Sequence, residues 1–120
     1  MAKPMMTPCW DFAILQFAFQ SGDLWPVAVL LLDTHDRLHI RARPPLDLAE
    51  NIPFPDAEVV ESTLDQLQAE AQTTSGSEML VRLEDQLSNA IRISDRQQTE
   101  LANVEATLEH LYKQHVASVE

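Results

Sequence analysis

The first third of the chain carries the two-residue period of strands. Asp11 to Gln20 (DFAILQFAFQ) is rich in aromatic and branched residues and holds no breaker. Ser21-Gly22-Asp23 signals a turn. Leu24 to Asp33 (LWPVAVLLLD) is apolar on both alternating faces, the pattern of a central strand covered on both sides. Pro26 must then sit near the strand's start or on a bulge. After a turn at Thr34-His35-Asp36, the segment Arg37 to Arg43 (RLHIRAR) alternates cleanly. Leu38, Ile40 and Ala42 face one way, and Arg37, His39, Arg41 and Arg43 the other, which predicts a half-buried strand with a wet face. Three strands in tight succession predict an antiparallel meander.

The period then changes. Pro44-Pro45 closes the meander, and residues 46–55, with Pro53 and Pro55, read as a loop. A helix is expected from Asp56 as its N-cap, with Val60, Leu64, Leu67 and Ala71 on its apolar stripe. Thr73 to Ser77 (TTSGS) is a linker, and Ser75 with Glu78 suggests a capping box for a short helix marked by Met79, Leu80, Leu83 and Leu87. Ala90 to Asp95 (AIRISD) reads either as a fourth strand, with Ile91 and Ile93 inward and Arg92 outward, or as a prolongation of the preceding helix. Thr99 is expected to cap a last helix whose stripe is Leu101, Val104, Leu108, Leu111 and His115. The order predicts an α+β fold: an antiparallel sheet of three to four strands, a meander plus a later strand, with helices packed on one face. Residues 1–9 read as a flexible tail and 10–120 as a single domain, its sheet at 10–43 and its helical region at 56–118.

Composition narrows the function. The chain has 120 residues, 45% of them apolar, suited to a single domain with a real core. A lone cysteine, Cys9, excludes an internal disulfide framework and any Cys-based zinc module. With only Gly22 and Gly76, no glycine-rich phosphate loop is available, and no nucleophile motif occurs. The net charge is −11, which disfavours nucleic acid and anionic membranes as partners. That charge is uneven: residues 1–43 are neutral, and residues 44–120 hold fifteen acids against four bases. The longest apolar run, Leu24 to Leu32, is too short to cross a bilayer, and Asp11 interrupts any signal-peptide core. A cytoplasmic setting is expected.

Candidate chemistry is sparse. Arg37, His39, Arg41 and Arg43, joined by Arg92, form a basic strand face suited to an anion, RNA or an acidic partner, or to pairing with the protein's own acids. It lacks the interleaved aromatics of sheet-type RNA binders. His110 and His115 lie about 140° apart around a helix, and His35, Asp36 and His39 make no more than a chance cluster. No metal or cofactor set is predicted. The stripe of the last helix, with Leu101, Leu108 and Leu111, either docks on the sheet or pairs across a two-fold axis. Trp25 beside Pro26 is either an anchor at a sheet rim or buried. The acidic helices also admit mimicry of nucleic acid.

The segment WDFAILQFAFQ, followed by GDLWPVAVLLLD and DRLHIRARP (Trp10 to Pro44), resembles the opening of domain-of-unknown-function family 3037, a family of small bacterial proteins. LSNAIRISDRQQ (Leu87 to Gln98) and LEHLYKQHV (Leu108 to Val116) are similar to its tail. Pro26-Val27-Ala28 stands where the family usually has a small polar-Val-Gly step. The resemblance implies an accessory, partner-binding role and no catalytic residues. The sequence as a whole predicts a non-catalytic interaction module, a homodimer or the small subunit of a complex. Its contact would be the arginine strand face or the last helix, and anion binding by the arginines is the main alternative.

Overall fold

The computed structural model describes residues 9–85, 90–100 and 103–117. The meander forms as its alternation dictates: β1 (Cys9–Ala18), β2 (Leu24–Leu32) and β3 (Leu38–Ala42) pair in antiparallel order. The β1–β2 turn places Gly22 at φ +95°, open to glycine at no steric cost, and the β2–β3 turn places Asp36 at φ +64°. Leu15 pairs with Ala28 and Gln16 with Pro26, so Val27 is the extra residue of a bulge. Pro26 therefore sits where a strand tolerates a missing N–H.

The other edge of β1 carries two short strands in line. β4 (Ile91–Ile93) pairs with Leu15 to Phe17, and β5 (Gln97–Glu100) with Cys9 to Phe12. Between them Ser94 closes the gap: its N–H donates to the Ile14 carbonyl at 2.9 Å, and its Oγ accepts from Ile14 N–H at 2.8 Å. The sheet order is β3-β2-β1, with β4 and β5 sharing the far edge.

The α+β class and the antiparallel sheet are as the pattern predicts; the layering differs. α1 (Pro45–Asn51), α2 (Asp56–Ala71) and α3 (Gly76–Asp85) cover one face. Leu15, Phe17, Ala28 and Leu30 of the sheet pack there with Leu48, Val60, Leu64 and Leu80. α4 (Val104–Tyr112), prolonged by a π-helical turn at Lys113–Ala117, covers the opposite face. There Phe12, Ile14, Val29 and Leu31 meet Leu111, Tyr112 and Val116. Helices on one face only would have left Val29 and Leu31, both wholly buried, against water. Each such side chain contributes roughly 1.5–3 kcal/mol by leaving solvent, so the two-sided apolar run of β2 demands the second layer.

Smaller corrections follow from local chemistry. Residues 46–55 include α1, which Pro45 can start because its missing N–H is unneeded in a first turn. α2 begins at Asp56 with Pro55 before it and no side-chain cap. Thr99 lies in β5; the α4 cap is Asn103, whose Oδ1 accepts from Ala106 N–H at 2.7 Å. Ser75 Oγ accepts from Glu78 N–H at 3.3 Å, one half of a capping box. The predicted tail lies outside the described residues except Cys9, which opens β1, and so do Leu87, Leu101 and residue 118.

Asp36 ties the β2–β3 turn to the amino end of α3. Its carboxylate accepts from Ser75 Oγ and from Ser77 N–H at 2.9 Å and Ser77 Oγ at 2.5 Å, and its carbonyl accepts from Gly76 N–H at 2.7 Å. These bonds hold its carboxyl below the ordinary carboxylate value, the one from Ser75 most. Gly76 allows the close approach: a Cβ there would stand 2.5 Å from Leu32 Cδ1 and 2.8 Å from the backbone nitrogen of Leu38.

Candidate functional site

Alternation puts His39, Arg41 and Arg43 on the face of β3 that α4 covers, so the expected wet face is largely occupied by the protein itself. Arg43 is buried. Its Nε donates to the Pro26 carbonyl at 2.7 Å, its Nη2 to the Val116 carbonyl at 2.6 Å, and its Nη1 to Asp47 at 2.8 Å. Arg41 is half exposed, 3.3 Å from Glu109 and 4.7 Å over the Tyr112 ring. His39 Nε2 lies 2.8 Å from Asp33 Oδ2. Burial raises the Asp33 pKa, but the bonds from His39 and from the N–H groups of Arg37 and His35 outweigh it and hold the carboxyl low.

Two cations of the predicted set remain without an ion-pair partner among the described residues. Arg37 is exposed at the amino end of β3, and Arg92 is exposed on β4. They belong to opposite edges of the sheet, three strand spacings apart, and to opposite ends of it, Arg92 level with Gln16 and Pro26 and Arg37 beyond Leu32. The five basic residues therefore do not form one surface. Leu111 is buried in the second core and half-buried Leu108 packs beside it, so the α4 stripe docks on its own sheet. Leu101 lies outside the described residues.

What stays open was not legible as a motif. Leu46, Phe54, Val59 and Val81 are exposed large apolar side chains of the α1–α3 layer, Phe54 at 78%. Phe54 borders a cleft of about 1020 Å³, with Phe17, Phe19 and Pro53 apolar and Asp23 and Asp56 acidic among its walls. Val59 lines a second groove of about 330 Å³ between α2 and α3. A third, of about 510 Å³, follows the Arg37–Ile40 part of the free edge of β3 between Gln68 and Ala71 of α2, with Gln72 just beyond them, and Leu108 of α4.

Among the described residues, no group of three or more His, Cys, Asp or Glu is placed to hold a metal ion, and no helix is long and apolar enough to cross a membrane. No protein-family model, curated protein or solved structure matches the chain.

Proposed function

We propose that this protein is a non-catalytic interaction module that binds another protein through the outer surface of α1–α3. The observation that carries the reading is Phe54, 78% exposed beside an aromatic-floored cleft, on a layer whose core is already complete without it. A large exposed aromatic at a concavity is the usual anchor of a protein contact. Asp23 and Asp56 line the cleft beside Phe54, and residues 44–120 carry the whole net charge of −11. Like charge around the patch opposes a second copy and favours a basic, apolar-tipped surface on a different chain. The fate of the α4 stripe supports the same choice, because the helix that would have paired across a two-fold axis packs on its own sheet.

The test compares the wild type with Phe54→Asp in co-purification from its native host, with light scattering on the purified chain. A stoichiometric partner held by the wild type and lost by the variant, at unchanged circular dichroism, is the expected result. A wild type that holds no partner and runs at 13.5 kDa at every concentration would remove the proposal.

A further inference from the structure

We infer that the free edge of β3 receives an extended acidic segment of another protein as an added strand. This site lies on the sheet edge, away from the surface around Phe54, and stands independently of it.

Asp33 N–H donates to the Arg37 carbonyl at 3.0 Å and Arg43 N–H to the Val27 carbonyl at 2.9 Å. With Val29 opposite Arg41 and Leu31 opposite His39, antiparallel alternation commits the odd-numbered residues of β3 to β2. Ile40 and Ala42 therefore turn their N–H and C=O groups away from the sheet. Leu38 is less accessible, because Gly76 packs against its backbone nitrogen. Nothing among the described residues pairs with this edge, and the groove of about 510 Å³ runs along its Arg37–Ile40 part. An unpaired edge flanked by two helices has the form used for strand addition.

The side chains choose the occupant. An added strand would lie between Ile40 and Ala71 on one face and Arg37, His39 and Arg41 on the other. Arg37 has no ion-pair partner among the described residues, and Arg41 is 47% exposed beside Glu109. Alternate acidic residues on the incoming strand would meet these guanidinium groups, and small apolar residues would meet Ile40 and Ala71. A second copy is disfavoured: pairing β3 with itself about Ile40 sets His39 opposite Arg41 on the same face. On a chain of net charge −11 the attraction for an acid at this edge is local, centred on Arg37, with Arg41 shared with Glu109.

The experiment is a fluorescence-anisotropy titration with a capped Glu-Val-Glu-Val-Glu-Val-Glu peptide. Three probes accompany it: a Lys-for-Glu version, a version N-methylated at alternate residues, and a uridine oligonucleotide of matched charge. Saturable binding of the acidic peptide is expected. The Lys and N-methylated versions should bind at least about tenfold more weakly, as should the parent peptide to Arg37→Glu and to Ile40→Pro. Proline at 40 removes an outward N–H and leaves the β2 pairing intact. If Ile40→Pro fails to fold, the N-methylated peptide against the wild type decides alone. Absence of binding, equal binding of the N-methylated or Lys version, equal affinity for the oligonucleotide, or a β3-mediated dimer of the free protein would each overturn the inference.

Discussion

Arg43 lays its guanidinium 4.0 Å over the Trp25 ring while donating to the Val116 carbonyl, so one side chain joins β2 to the carboxyl end of the last helix. Asp47 at the head of α1 completes the set, which ties one layer of helices to the other through the end of β3. Arg41, two residues earlier on the same face, makes one half-exposed ion pair and one ring contact.

The two arginines should therefore differ sharply on truncation. Arg43→Ala leaves two buried carbonyls without their donor and is expected to lower stability by roughly 3 kcal/mol or more. Arg41→Ala should lower it by no more than about 1 kcal/mol. Urea denaturation of both variants measures the difference, and equal midpoints would contradict the clamp described for Arg43.

Gly76→Ala is expected to destabilise although Ala ordinarily favours a helix. The added methyl meets Leu32 and the backbone of Leu38, and moving them costs about 1–3 kcal/mol. At Gly22 no atom lies within 4 Å, so Gly22→Ala should show only the left-handed backbone cost of about 1–2 kcal/mol. A crystal structure of Gly76→Ala should reveal a displaced α3 amino end; the corresponding structure at Gly22 should superpose on the wild type.

Acid should loosen the clasp at Asp36. Its folded pKa lies below the ordinary value of 3.8, so the stabilisation is fully present above that value and is lost as pH falls through the lower folded value. Asp33 adds to the same trend. The urea midpoint of the wild type should fall below pH 3.8, and that of Asp36→Asn, which suits a positive φ equally well, should fall less. Parallel curves would show that the carboxylate bonds to Ser75 and Ser77 contribute nothing in solution.

His115 predicts a separate, milder transition. Its ring lies 5.3 Å from Phe12, and burial, then the charge of His110, lowers its pKa below 6.5. The fold thus disfavours the protonated ring: stability is full above 6.5 and declines as pH falls from there through the lowered value. The slope of stability against pH between about 7 and 5 should flatten in His115→Gln. Nuclear magnetic resonance titration of the His115 ring should give a midpoint below 6.5.

The meander could be read because alternation is a direct consequence of strand geometry, and β1 to β3 fall within a few residues of their predicted bounds. β5 could not, because Gln97 to Glu100 has no apolar face; pairing with Cys9 to Phe12 fixes it. α1 is short and mixed in polarity, so Pro45 and buried Leu48 identify it only once α2 is in place. The candidate site was half legible. Periodicity assigned Arg41 and Arg43 to one face, but which element covers that face depends on packing of Leu111 and Val116 from far along the chain. The run Ala28-Val29-Leu30-Leu31 already held the answer, since two buried faces require two layers. Phe54 carried no signal, because exposure of a single aromatic is a tertiary property.

The clasp of Asp36 on Ser75 and Ser77 also bears on how the chain can vary. It joins two points about forty residues apart, so β3, α1 and α2 form a lobe closed at its neck. Extra residues between α1 and α2 would enlarge the lobe without transmitting a shift to the strands beneath α4. Relatives that differ in length are accordingly expected to differ there, with the neck kept constant.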